Sequence, residues 1–332
     1  MDTALKIFTT CPPSALAQPR HCRRQIEDIA RWSEAAGCEG ILVFTDNAQL
    51  DPWLVSQIII EATVHLCPLV AIQPVYMHPY SVAKMITTLA HVHGRRSYLN
   101  MVAGGFKNDL AALGDVTPHD ERYARLIEFT TVIQRLLASP DPVSFEGRYY
   151  RVSNLKLTPP LPPELAAGVF VSGSSAAGLE AARQLGATAI EYPKPPGGHN
   201  AAPAAVAACG MRIGIITRAD EEAAWAVARA RFPEDRKGQL AHQLAMKVSD
   251  SSWHKQLSEL GARGDSAYWL APFQNYKAVC PYLVGSYDRV ADELGRYLDA
   301  GYRTFILDEP ASAEELQHTA AAFDRATRVL VQ

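Results

Sequence analysis

The sequence predicts an α/β fold: a TIM (β/α)8 barrel with insertions, as a single domain over residues 1–332. Three observations point there. Eight short apolar or β-branched runs alternate with amphipathic helical stretches, the pattern of a parallel sheet covered by helices. Most runs are four to six residues long and bounded by polar, Gly or Pro positions, as strands buried on both faces are. No GxGxxG or GxxxxGK(S/T) follows any run. The nucleotide loops of a doubly wound open sheet, the second-best architecture, are therefore missing. Barrels of this kind reach this length as one domain.

The strands read as Leu5–Thr9, Gly40–Phe44, Leu69–Gln73, Ser97–Val102, Val169–Ser172, Thr188–Glu191, Met211–Thr217 and Thr304–Leu307. The helices between them read as Arg20–Ala36, Pro52–His65, Pro79–His93, Ser174–Leu185, Asp220–Arg231, Tyr287–Ala300 and Ala313–Val329. Gly37 and Gly94 stand where two of them end, as a C-terminal cap requires. A Pro/Gly linker, Pro193–Gly198, leads to an alanine-rich helix. Two stretches break the rhythm. About 105–165 holds a long helix, Pro118–Ala138, and a hairpin-like pair, Phe145–Tyr150 and Leu155–Thr158. About 232–286 is long, polar and partly helical, and an excursion of that length usually has a function.

Composition narrows the function. With 32 basic and 35 acidic residues the net charge is −3, so nothing marks a nucleic-acid partner. The six cysteines form no CxxC and no zinc spacing with histidine, and read as reduced thiols of a cytoplasmic protein. The N-terminus reads as a first strand rather than a signal peptide. The most apolar stretch, Ile58 to Val75, is broken by Glu61, His65, Pro68 and Pro74, so no membrane span is expected.

In a barrel, chemistry sits at the C-terminal ends of the strands. Three constellations fall there. Val171-Ser-Gly-Ser-Ser175 ends a strand and opens a helix; its hydroxyls and free N–H groups suit a phosphate, and equally a plain N-cap at Ser174 or Ser175. Leu99-Asn-Met-Val-Ala-Gly-Gly105 sets an amide beside open backbone, which suits the polar edge of a flat heterocycle or a simple turn. His119-Asp-Glu-Arg-Tyr123 places an imidazole and a phenol on one helical face, for an anion or for surface packing. No metal site is expected. His91 and His93 point to different helical faces, and no GxSxG nucleophile elbow is present.

These residues bring a family into view. Gly94-Arg-Arg-Ser-Tyr-Leu-Asn-Met-Val-Ala-Gly-Gly105, His119-Asp-Glu-Arg-Tyr123, Phe145-Glu-Gly-Arg-Tyr-Tyr-Arg-Val152, Lys156-Leu157, Ser172-Gly-Ser-Ser175 and Pro195-Pro196 resemble, in spacing and order, bacterial luciferase-like flavin-dependent monooxygenases, above all the alkanesulfonate monooxygenase branch. Weaker similarity covers Trp53-Leu-Val55, Arg212 and Leu283-Val-Gly285. The resemblance implies a TIM barrel with a mobile lid between the seventh and eighth strands, the stretch at about 232–286. It implies reduced FMN taken from a separate NAD(P)H-dependent flavin reductase, and O2 used through a flavin (hydro)peroxide to oxygenate a small organic or carrier-bound substrate. It implies a homodimer or homotetramer. Asn100 would face the flavin ring, and Ala103, Gly104 and Gly105 would let the backbone approach it. Ser172, Gly173, Ser174 and Ser175 would hold the phosphate, with His119 or Tyr123 nearby.

The chain departs from the sulfonate branch at the substrate end. Cys11 stands for a histidine after the first strand, Gln49 for a cysteine before Trp53, Gly214 for the histidine of an Arg-x-His on the seventh strand, and Asp308-Glu309 for a tyrosine after the last. Phe273–Pro281 replaces a glycine-rich, arginine-bearing loop. Cys11, Gln49, Arg212 and Glu309 are thus the candidate catalytic residues. The substrate is expected to be no simple alkanesulfonate. A mouth lined by Phe8, Tyr76, Tyr192, Trp269, Phe273 and Tyr276 would exclude water. A deazaflavin-dependent dehydrogenase and a non-enzymatic flavin-binding accessory protein are the alternatives.

Overall fold

The computed structural model describes residues 4–14, 18–194, 208–248 and 266–329. The chain closes a parallel barrel. Strands β1 (Lys6–Thr10), β2 (Gly40–Val43), β3 (Cys67–Ile72) and β4 (Tyr98–Val102) pair in sequence order. Two strands of an excursion follow, β5 (Val143–Glu146) and β6 (Arg151–Leu155). The barrel resumes with β7 (Gly168–Ser172), β8 (Thr188–Glu191) and β9 (Ala208–Arg218). The last barrel strand, β12 (Tyr302–Leu307), lies between β9 and β1 and seals the ring.

Helices cover the ring: α1 (Pro19–Ala35), α2 (Pro52–Ala62), α3 (Pro79–His93), α4 (Lys107–Ala112), α5 (His119–Ala138), α6 (Ala176–Leu185), α7 (Glu221–Arg231), α8 (Arg236–Val248), α9 (Ala271–Gln274), α10 (Tyr287–Asp299) and α11 (Ala313–Val329). Their starts follow the sequence. Asp51 accepts from the N–H groups of Trp53 and Leu54, Asp220 from that of Ala223, and Ser286 from that of Arg289. α3 ends at Gly94 with φ 62°, the left-handed cap a glycine adopts freely.

The barrel is filled, not hollow. Phe8, Leu42, Leu69, Ala71, Tyr98, Phe170, Ile190 and Ile306 make one buried cluster. Phe8 meets Tyr98 and Phe170 edge-on at 5.2 and 5.3 Å. Gly168 is small because a Cβ there would lie 2.4 Å from the Tyr98 ring. This plug is the floor on which a site at the C-terminal mouth rests.

The excursion at 105–165 holds α4, α5 and the hairpin β5–β6. The hairpin's second strand is Arg151–Leu155 rather than Leu155–Thr158. The turn is tight, with the Gly147 N–H on the Tyr150 carbonyl, so pairing starts at once at Arg151. Glu128 of α5 accepts from the N–H groups of Arg148, Tyr149 and Tyr150 and clips the turn to the barrel.

The stretch at 232–286 holds a surprise for its polar reading. Within it, β11 (Tyr282–Ser286) runs parallel to the second half of β9, and β10 (Tyr268–Trp269) pairs antiparallel to β11. Tyr282, Leu283 and Val284 are at most 1% exposed. Part of the stretch read as a lid is therefore sheet: its apolar end, Ala278–Gly285, differs from the polar residues that open the stretch. Residues 249–265 of that stretch, the Pro195-Pro196 phrase, all but the first two residues of the Pro193–Gly198 linker, and the alanine-rich helix lie outside the described residues. No helix among the described residues is long and apolar enough to cross a membrane.

Candidate active site

A cavity of about 410 Å³ opens at the C-terminal mouth of the barrel. All nine residues expected to bind cofactor, Asn100, Ala103, Gly104, His119, Tyr123, Ser172, Gly173, Ser174 and Ser175, line it, and Arg212 does too. They come from β4, α5, β7, the β7–α6 loop and β9, so only closure of the barrel brings them together.

One end is built around the start of α6. Ser175 is the N-cap, its Oγ accepting from the Gly178 N–H at 3.1 Å. The Tyr123 hydroxyl, nearly buried, hydrogen-bonds Ser175. Burial pushes the Tyr123 phenol up and that bond acts in the opposite sense. A Cβ on Gly173 would lie 2.2 Å from the Tyr123 hydroxyl, so only glycine fits between them. His119 stands edge-on to Tyr123 at 5.2 Å. The helix N-terminus, two serines, a phenol and an imidazole thus converge where an anion gains from the helix dipole.

The end of β4 and the loop after it supply another part of the lining. Asn100 is 5% exposed, and its Oδ1 accepts from Ser172 Oγ at 2.7 Å, which leaves its N–H2 as the donor. Gly104 has φ 97°, and a side chain there would press on Leu110 and Gln73. A Cβ on Gly105 would meet nothing within 4 Å.

The far end is cationic. Arg212 is 7% exposed, lies with Cζ 4.6 Å from the Phe44 ring centroid, and hydrogen-bonds Tyr192. Burial pushes the Tyr192 phenol up to about 12, against the pull of Arg212. Tyr276, Lys277, Ala278 and Val279 wall the mouth. This loop is anchored by Asn275, which accepts from Gln239 and donates to the Pro233 carbonyl. Tyr276 takes φ 58°, uncommon for a bulky residue.

Three candidate catalytic residues are not among the cavity's lining residues. Along β1, Phe8 points into the barrel and Thr9 outward to Ser33 of α1 at 2.6 Å, so by strand parity Cys11 faces outward. It is buried among Ile26, Ile29, Val55 and Ile59, and burial first, then Glu309 and Cys22, pushes its thiol far up. Gln49 accepts from the N–H and Oγ of Ser14 and ties two loops together. Glu309 lines a separate niche of about 20 Å³ with Asp308, Glu315 and Arg231. Of the aromatics expected at the mouth, Tyr192 and Tyr276 line the cavity. Phe8 lies in the floor, Tyr76 bonds Asn47, Trp269 packs on Trp225 and Phe232, and Phe273 packs on His242. Sequence reasoning missed Phe44, whose only signal was its place at a strand end, and gave Val102, Gln73 and Asp46 no role.

Residues 5–304 match the family of luciferase-like monooxygenases. The chain belongs to that family. Its members named as monooxygenases place it among the flavin-dependent monooxygenases. It is 36% identical over 300 residues, 87% of each chain, to the 4-(gamma-L-glutamylamino)butanoyl-(BtrI acyl-carrier protein) monooxygenase of Niallia circulans. Its fold is shared with a long-chain alkane monooxygenase (TM-score 0.75, 16% identity, 99% of this chain and 92% of that one). It is shared also with the EDTA monooxygenase of Chelativorans sp. BNC1 (TM-score 0.71, 17% identity, 98% and 94%).

Proposed function

We propose that this chain is the oxygenase of a two-component system. It takes reduced FMN from a separate flavin reductase, and it uses O2 to oxygenate an acyl chain carried as a thioester. The observation that carries this reading is one cavity that gathers an anion cradle, the Asn100 amide beside Gly104 and Gly105, and a buried arginine.

The residues fit the flavin. Ser174, Ser175, the Tyr123 hydroxyl and His119 would hold its phosphate at the start of α6. The Asn100 amide would donate to the polar edge of the ring. The open space beside Gly105 and the bare backbone of Gly104 leave room for a flat ring to lie close. Reduced FMN, when bound, supplies the two electrons that let one atom of O2 enter the substrate and the other leave as water.

The chain's own part is position, dryness and charge. Phe44, Val102, Phe106 and Ala71 give the cavity an apolar lining, and the wall from Tyr276 to Val279 keeps water from the mouth. Arg212 is held charged by its surroundings and favours negative charge at its end of the cavity. The carrier thioester is favoured over a free small molecule by the likeness to the carrier-protein monooxygenase.

The test is an anaerobic titration of the protein with reduced FMN, oxidised FMN and a reduced deazaflavin, followed by tryptophan fluorescence. Tightest binding of reduced FMN is expected. Preference for the deazaflavin would replace oxygenation by hydride transfer, and binding of none would remove the cradle assignment. Coupled O2 use with a carrier-bound acyl chain would then separate an oxygenase from a flavin-binding accessory protein.

A further inference from the structure

We propose that Gln73 reads the redox state of the flavin: its side-chain oxygen accepts from the N5–H that only the reduced ring carries. This rests on the flavin reading above and goes further by naming the group that separates reduced from oxidised FMN.

Gln73 follows β3 directly. Ala71, two residues earlier, belongs to the cluster inside the barrel, so strand parity turns Gln73 inward too, and it lines the cavity. It is 8% exposed. Its Nε2 donates to the Thr45 carbonyl at 3.3 Å, a bond that only the amide nitrogen can make, so Oε1 is the end left over. A Cβ on Gly104 would lie 3.2 Å from that oxygen, which sets it beside the bare backbone where a ring has room. No described residue donates to Oε1, and this oxygen is not sealed from the cavity.

The neighbouring strand holds the complementary group. The Asn100 oxygen accepts from Ser172, which leaves the Asn100 N–H2 toward the same cavity. Two buried amides thus line one cavity with opposite polarity, each fixed by the bond its other end makes. A buried acceptor without a donor is unfavourable, and a ligand that brings the missing N–H is selected over one that lacks it. The O4/N5 edge of reduced flavin is one acceptor beside one donor. In the oxidised ring N5 has lost its hydrogen and holds a lone pair, so Gln73 would meet a second acceptor. The N3 edge sets a donor between two carbonyls and asks for two donors; the pair of amides offers one.

The experiment measures anaerobic dissociation constants by tryptophan fluorescence for reduced FMN, oxidised FMN and reduced 5-deaza-FMN. The last has carbon in place of N5 and never offers the N–H. The wild type should bind reduced FMN at least tenfold more tightly than reduced 5-deaza-FMN, the scale of a buried hydrogen bond lost. Q73M, similar in length and without the amide, should shrink that ratio below threefold. It should weaken reduced FMN at least tenfold and change oxidised FMN by less than threefold. Equal binding of the two reduced flavins to the wild type overturns the proposal, whether or not Q73M folds. So does a Q73M variant that loses both redox states of FMN equally, which would make Gln73 a contact to the N3 edge or a structural residue. Failure of the wild type to bind FMN in either state removes the flavin reading, and the proposal with it.

Discussion

A Cβ on Gly214 would lie 2.3 Å from Cζ of Tyr282. The Tyr282 ring crosses β9 at that point, and its hydroxyl then reaches Asp308, the carboxylate that faces Arg212. Where the sulfonate branch is expected to carry a histidine, this chain has a glycine because another strand's tyrosine fills the space. Gly214→Ala should destabilise the fold by about 1–3 kcal/mol through overpacking. Gly295→Ala, in α10 with nothing within 4 Å of the added carbon, should stabilise it by about 0.5–1 kcal/mol. Urea unfolding of both decides this; a neutral Gly214→Ala would mean the ring is free to move.

Gly173 and Tyr123 form the same kind of pair at the opposite end. The missing Cβ of Gly173 is where the Tyr123 hydroxyl sits. Gly173→Ala should push the phenol off Ser175 and weaken reduced FMN by at least tenfold. Adding Tyr123→Phe should restore part of the loss, since it removes the atom in conflict. A double-mutant cycle with no coupling would break the link between the two.

Ser174 and Ser175 should separate in their effects. Ser175 caps α6, so Ser175→Ala should cost about 1 kcal/mol of stability along with cofactor affinity. Ser174 makes no cap bond, and Ser174→Ala should reduce affinity for reduced FMN with the unfolding midpoint unchanged. Equal stability losses in the two variants would deny Ser174 a binding role.

Asp115 gives a pH signature. Burial alone would raise its carboxyl, but the bonds from Arg125 and Thr117 outweigh that and hold it at about 2. A value below the ordinary 3.8 means the group adds stability above about pH 4, and this is lost as the pH falls toward 2. Asp115→Asn should therefore be less stable than wild type at pH 7, with the gap closing between pH 4 and 2. A gap that stays constant down to pH 2 would show that the carboxylate charge is not what matters.

Cys11 should behave as a packed thiol. It is 2% exposed and its thiol is pushed up by burial. Cys11→Ala should cost roughly 1 kcal/mol and leave reduced FMN affinity unchanged; a tenfold loss of affinity in a folded variant would return Cys11 to the site.

The alternation of short apolar runs with helical ones was enough to read the barrel, because local hydrophobic period and end signals report burial directly. The anion cradle was legible for a similar reason. Ser172 to Ser175 are consecutive, and strand, turn and helix start are local events. The sheet strand at Tyr282–Ser286 was not, since its apolar run joins the sheet only by pairing with β9, 68 residues away at Gly285 and Thr217.

The sequence by itself determined the architecture, the order of its strands and which segment offers a helix N-terminus to a phosphate. Tertiary structure alone decided the substrate end. Whether Cys11 or its neighbour faces the cavity depends on strand parity, and a shift of one residue reverses it. How Arg212 is surrounded depends on where Phe44, Tyr192, Tyr282 and Asp308 stand, and these lie on four different strands or strand ends. Local pattern carries burial and propensity; it does not carry the distances between side chains that only the closed barrel sets.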